Sequence, residues 1–187
     1  MEQLCRVLKP IANIYIISLS WSLAIFNLYL FNKPLRECAM SVGLNTIPIV
    51  LDTMSYYTPD EGYQVLSDLG DNGRNAYRLA NYTDFVLPIL LFLSLSLPNL
   101  ALRKGCQYVI VPLIYMISDY IENVAEKYVL EIYPRRNDFV MTLACYFGLI
   151  KIITFFGSLL ILIINGLQWI LKTINRSELQ RQTQKVN

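Results

Sequence analysis

The sequence predicts an all-α fold: a four-helix transmembrane bundle with an ordered helical extracytosolic loop between its first and second spans. Three observations lead there. Hydrophobic residues make up 55% of the chain and charged residues only 16%, a shift from charge toward hydrocarbon relative to soluble domains. The apolar residues gather into runs long enough to cross a bilayer, and nearly all the charge lies between those runs. The main polar stretch, residues 32–84, carries helix-start and helix-stop signals of its own. That clustering excludes a soluble α/β or β-sandwich domain.

The first span, residues 11–31, is uncharged and flanked by Arg6 and Lys9 before it and Asn32-Lys33-Pro34 after it. At about 1.5 Å per residue it crosses one bilayer. No A-x-A-like cleavage signal closes the run, so it reads as a retained signal-anchor. In the loop that follows, Thr58 can cap a helix, Pro59 suits its first position and Glu61 completes a capping box. Leu66 and Leu69 continue an apolar stripe, and Gly70 is a stop signal. Asp71 can then cap a second helix carrying Arg74, Tyr77 and Arg78. Tyr56, Tyr57, Tyr63, Tyr77 and Tyr82 suit an interface where an aromatic body meets water. The expectation is a helical cap lying on the membrane surface.

The second span, residues 85–102, contains Pro88 and Pro98, which predict a kink at one or both. Arg103-Lys104-Gly105 leaves room only for a tight turn, so spans two and three form an antiparallel hairpin. The third span covers residues 106–126. The fourth, residues 139–171, is apolar except for Lys151 and longer than a core of about 30 Å requires, so it tilts or projects. The polar tail, residues 172–187, is expected to fray. Arg6, Lys9, Arg103, Lys104, Lys172, Arg176, Arg181 and Lys185 fall on one side in short segments next to the spans, which assigns both termini to the cytosol. The sequon Asn81-Tyr82-Thr83 sits so near the membrane on the other side that glycosylation is not expected.

Composition removes several kinds of chemistry. The chain has no histidine, which excludes His-ligated zinc and Ser-His-Asp catalysis. Cys5, Cys38, Cys106 and Cys145 form no C-x-x-C pair and read as free buried or interfacial thiols. A net charge of +2 with no basic helix face is too small to suggest a nucleic-acid partner, and none is expected. Nothing in the pattern calls for a cofactor or a metal. Trp21 and Trp169 read as lipid-facing, and Gly157 with Ser158 as a place for close helix packing.

One constellation remains. Asp119, Glu122, Asn123 and Glu126 are spaced i, i+3, i+4 and i+7, on a single helical stripe. Ionisable groups inside a span are costly and turn toward partners or a wet cavity. Lys151 is the natural partner, because it and Asp119 both lie about 18–20 Å from the loop that joins spans three and four. Arg74 and Arg78 are placed to meet Glu122 or Glu126 nearer the surface, with Asp84 a further carboxylate. Three readings follow: an ion pair that fixes bundle register, a polar cavity binding a small molecule, lipid headgroup or cation, or a catalytic site. Partners on these readings are the bilayer, a lipid or small-molecule ligand, or another membrane protein. The leading reading is non-enzymatic. The alternative is an intramembrane lipid-modifying isomerase or hydrolase whose paired carboxylates act as acid and base.

The string Leu51-Asp52-Thr53, then Tyr57-Thr58-Pro59-Asp60-Glu61-Gly62-Tyr63, Gly70, Gly73-Arg74 and Tyr77, with Asp119-Tyr120-Ile121-Glu122-Asn123 and Lys151, resembles a group of uncharacterised four-span integral membrane proteins. The likeness covers roughly the middle two-thirds of the chain and implies architecture, with no activity attached. At the level of fold alone, sterol-isomerase-like and sigma-2-receptor-like four-helix membrane proteins also place carboxylates in a bundle cavity. The lack of histidine weighs against carrying over isomerase chemistry.

Overall fold

The computed structural model describes residues 2–103 and 105–186, with side chains for 2–102 and 105–177. Lys104, at the centre of the basic turn, lies outside the described residues, and Arg181 and Lys185 are described by backbone alone. The regular structure of the described residues is all helical, with no strand: α1 (Glu2–Ile11), α2 (Ile14–Ser41), α3 (Pro59–Asp68), α4 (Gly70–Asp84), α5 (Leu87–Arg103), α6 (Ile110–Ile132) and α7 (Asp138–Val186). Two short 3-10 turns, Leu51–Thr53 and Cys106–Val109, punctuate the connections.

Three helical stretches are long and apolar enough to cross a membrane: Ile14–Ser41, Gly70–Leu102 and Asp138–Ser177. Helix α6 has the length but carries Asp119, Glu122, Glu126 and Lys127 along it. Those charges set it apart from the other three.

Several boundaries differ from the sequence-based expectation. Helix α2 does not stop at Phe31 but continues to Ser41. Phe31, Leu35 and Ala39 recur every four residues and are all buried, so a packed stripe carries the helix past Pro34. Helix α7 does not fray after Lys172, and its backbone stays helical to Val186. No proline follows Lys172, and the Lys, Arg, Gln, Glu and Leu there are good helix formers.

The capping box is present as read. Thr58 Oγ1 accepts from the Glu61 N–H at 3.3 Å, and Glu61 Oε2 accepts from the Thr58 N–H at 2.7 Å. Gly70 has φ +60°, a backbone that L side chains rarely adopt, and it separates α3 from α4. Asp71 does not cap α4, whose first residues have no side-chain cap. It pairs with Arg74 at 2.5 Å instead.

The helices of the loop pack into the body of the bundle. Helix α4 packs along the second half of α2, and Tyr57, Tyr63 and Tyr77 are buried core residues, leaving only Tyr56 and Tyr82 exposed among the five tyrosines. They join Leu35, Leu51, Leu66, Leu130 and Met141 in one core cluster. A second cluster, at the opposite end, joins Cys5 and Leu8 of α1 to Phe92, Leu97 and Leu100 of α5.

Between α4 and α5 the helix breaks at Phe85–Val86. Pro88 cannot donate to the Asp84 carbonyl, and it disfavours helical backbone at the residue before it. Carbonyls near the break find side-chain donors: Asn27 Nδ2 donates to Thr83 at 3.1 Å and the Tyr120 hydroxyl to Phe85 at 3.0 Å. Pro98, by contrast, sits inside α5 without ending it. Near it, Asn165 Nδ2 donates to Asn99 Oδ1 at 2.7 Å, tying α7 to α5.

Cys5 and Cys106 are not free thiols. They form a disulfide with Cα atoms 5.9 Å apart, which fastens α1 to the start of the α5–α6 return. Asn81 is buried and donates to the Asn123 carbonyl at 3.3 Å, so its amide is not open to glycosylation in the folded chain.

Candidate functional site

The helical period of α6 aims Asp119, Glu122, Asn123 and Glu126 at one side, and all four are at most 1% exposed. From α7, Lys151 reaches the same place. Its Nζ lies 2.6 Å from Glu122 Oε2 and 3.6 Å from Asp119 Oδ1. Helix α7 comes close enough because residue 148, one turn before the lysine, is glycine. A Cβ there would sit 2.5 Å from Glu122 Oε1.

An equally close partner of the lysine is one that helical periodicity could not reveal. Asp52, on the Leu51–Thr53 turn, accepts from Lys151 Nζ at 2.6 Å. A short 3-10 turn is thereby carried against α6, with Val50 and Leu51 just before Asp52 both fully buried. Tyr77 anchors the turn: its hydroxyl accepts from the Asp52 N–H at 3.1 Å and donates to Glu126 Oε2 at 2.7 Å. Tyr115, four residues before Asp119, donates to Asp119 Oδ2 at 2.6 Å. Asp84, at the end of α4 and 2% exposed, completes a ring of five carboxylates, of which Asp52, Asp119 and Glu122 pair with the one ammonium.

Arg74 and Arg78 do not enter this ring. Arg74 donates to the Leu66 carbonyl at 2.6 Å and lies over the Tyr133 ring, while Arg78 donates to the Leu130 carbonyl at 2.7 Å and approaches Glu131 at 3.8 Å. The inward position of α4 belongs to Tyr77, between them in sequence but on another face.

No protein-family model, curated protein or solved structure matches the chain. The site must be read from its own geometry. A cavity of about 220 Å³ opens beside the ring. Asp52, Asp84, Asp119 and Lys151 form its polar floor, and Leu28, Leu87, Leu91, Ile152, Phe155 and Phe156 its apolar walls. Leu28 and Phe156 at its edge are 43% and 63% exposed, so the apolar side opens to the outside of the bundle. A larger groove of about 520 Å³ near Cys38, Met54 and Leu69 contains a single carboxylate, Asp68, and no cluster of ionisable groups.

Glu122 and Glu126 lie close to Asp52 but do not line the cavity. Tyr57 is buried near them. Burial first, and then the Glu126 and Glu122 carboxylates, raise its phenol well above the usual value, so it remains a neutral hydroxyl.

Sequence reasoning missed Asp52, Tyr77, Tyr115 and Gly148 as members of the site. The first three carry side chains of the right chemistry, but the tertiary fold, not sequence spacing, brings Asp52 and Tyr77 to α6. Gly157, singled out for close packing, proves undemanding, since a Cβ there would meet Val111 at an ordinary 3.7 Å.

Proposed function

We propose that this chain is a four-span membrane protein that binds an amphiphile whose positively charged head enters the acidic cavity and whose tail lies along the lipid-facing helices. One observation carries the reading: the cavity joins a floor of three carboxylates and one ammonium to an apolar, outward-open wall. With its carboxylates ionised the floor is net negative, which favours a cation such as a primary amine over an anionic headgroup. A volume of about 220 Å³ suits a head and its first few carbons, given about 30 Å³ per water, with the rest of the tail continuing over Leu28 and Phe156.

On this reading α6 is the fourth crossing, its carboxylates sheltered by α2, α4 and α7 in the way polar groups are carried through bilayers. At about 1.5 Å per residue, Asp119 lies about 20 Å from Gly105 and Asp84 about 28 Å from Arg103. The ring then falls in the outer third of a hydrocarbon core about 30 Å thick, with α3 and most of α4 beyond it. The Asp52 turn becomes a re-entrant segment, a type of backbone tolerated at membrane depth only when protein covers it or it lines a cavity. The residues behind the resemblance to uncharacterised four-span proteins include Asp52, Tyr57, Tyr77, Asp119, Glu122, Asn123 and Lys151, so we take that shared pattern as the signature of this chamber. The basic end faces the cytosol, following the excess of Lys and Arg beside the spans.

The test uses the two tryptophans of the chain. Trp21 packs against the Leu87, Leu91 and Tyr115 cluster that walls the cavity, whereas Trp169 is 52% exposed at the far end. In a Trp169→Phe background, titrating decylammonium should change Trp21 fluorescence saturably, and decyl sulfate should not. Asp84→Asn should weaken the decylammonium response. Equal responses to both amphiphiles, or none to either, would overturn the reading. Chemical conversion of a bound lipid, abolished by Asp119→Asn, would favour the enzymatic alternative, for which the Tyr115 hydroxyl on Asp119 offers a proton path.

A further inference from the structure

Two sets of three carboxylate oxygens lie within 4.8 Å of one another, and they share Asp52. Asp52, Asp84 and Asp119 line the cavity described above. The second set joins Asp52 to Glu122 and Glu126, neither of which lines the cavity. In the second set Glu126 is 0% exposed, and its Oε2 accepts the Tyr77 hydroxyl. Its Oε1 has no hydrogen-bond partner among the described residues, although it is sealed from solvent. A bare carboxylate oxygen held in a protein interior against two further carboxylates calls for a positive group.

We propose that Asp52, Glu122 and Glu126 are ligands of a hard divalent cation, at a site that shares Asp52 with the cavity but does not rest on the amphiphile reading. The donor set is oxygen only, which suits Ca²⁺, Mn²⁺ or Mg²⁺ rather than softer metals. Three oxygens no more than 4.8 Å apart can all be reached from a centre within about 2.8 Å, close to the 2.3–2.6 Å of Ca²⁺–oxygen bonds and farther from the 2.0–2.1 Å of Mg²⁺. Ca²⁺ therefore needs the smallest adjustment. The donors are also held in advance. Tyr77 ties the Asp52 backbone to Glu126, and Gly148 leaves room for Glu122.

Lys151 is the competitor. Its Nζ sits 2.6 Å from both Asp52 Oδ1 and Glu122 Oε2, two of the three ligand residues. A metal ion entering on the Glu126 side displaces the ammonium toward Asp119, now 3.6 Å away. Metal and lysine thus share carboxylates. Removing the lysine charge should tighten metal binding rather than weaken it, the opposite of what a purely structural ion pair predicts.

The experiment uses the full chain in detergent, stripped with EDTA and titrated with Mn²⁺ alone, with the loss of the free Mn²⁺ spin-resonance signal as readout. One Mn²⁺ should bind per chain and be displaced by Ca²⁺. Glu126→Gln should weaken binding more than about tenfold, Lys151→Met should strengthen it, and Asp60→Asn, an exposed carboxylate paired with Arg136, should leave it unchanged. If Glu126→Gln fails to fold, the wild type decides by its melting temperature, which should rise in Ca²⁺ relative to EDTA. No saturable Mn²⁺ binding, equal binding by Glu126→Gln, or a melting temperature indifferent to Ca²⁺ would overturn the proposal. Neither Mn²⁺ binding nor the Ca²⁺ shift uses an amphiphile, so the metal site and the amphiphile reading fail separately.

Discussion

Lys151 balances charge for several carboxylates at once, and that arrangement sets what single substitutions do. Lys151→Met leaves Asp52, Asp119 and Glu122 facing one another without a counter-ion and should destabilise the fold by about 3–5 kcal/mol, as removal of one partner from a buried pair does. Adding Glu122→Gln should recover part of that loss, with a coupling of about 1–3 kcal/mol between the sites, measurable by thermal unfolding of the two single variants and the double. Gly148→Ala makes a different demand. Its Cβ would sit 2.5 Å from Glu122 Oε1, so the carboxylate must swing away or α7 must retreat, at a cost of about 1–3 kcal/mol. Gly157→Ala, with open contact distances, should be tolerated. At this scale the α6 stripe was legible because helical period alone places residues 119, 122, 123 and 126 together. Asp52 was not legible. It belongs to a three-residue 3-10 turn, too short to show a period from which a direction can be read.

At the level of elements, local chemistry sets the start of α3. Thr58 and Glu61 satisfy each other's backbone donors, and Thr58→Ala should cost about 1 kcal/mol. The bonds from Thr58, its backbone N–H first, hold the Glu61 carboxyl below its ordinary 4.5. A carboxyl with a depressed value stabilises the fold fully above its unfolded value, and the contribution is lost as pH falls through the folded one. Hydrogen exchange in the first turn of α3 should therefore quicken as pH is lowered below about 4.5, after correction for intrinsic rates, and Glu61→Gln should flatten that trend. Caps and the Gly70 stop were readable because they act within a few residues. The length of α2 was not, because the buried faces of Phe31, Leu35 and Ala39 outweigh the local signal at Asn32-Lys33-Pro34 only once α4 is packed beside them.

The whole molecule has an acidic ring where two differently built halves meet. One half holds α3, α4 and the packed ends of α2, α6 and α7 around Tyr77 and Leu51. The other displays large exposed apolar side chains, among them Leu19, Phe26, Ile114, Ile153 and Leu160, as a lipid-facing surface would. Clustered hydrophobicity made this division partly visible in the sequence. The disulfide was invisible, since Cys5 and Cys106 stand 101 residues apart and no spacing rule joins them. A cross-link closing so long a loop is worth about 2–4 kcal/mol, so Cys5→Ser and chemical reduction should lower stability by similar amounts in denaturant titrations. The bond also bears on orientation. The cytosol would hold this pair reduced until the protein is extracted and the bond closes, so maleimide should label Cys5 and Cys106 in intact cells only after it has entered the cytosol. Resistance to maleimide until a reductant is added would place the basic end on the oxidising side instead.

Native mass spectrometry of the protein extracted from cells tests the cavity most directly. The wild type should carry an amine-bearing amphiphile as a bound adduct, and Leu91→Trp, which fills the cavity from its apolar wall, should lose it while remaining folded. A wild type free of any such adduct, or an adduct that persists unchanged in Leu91→Trp, would contradict the account.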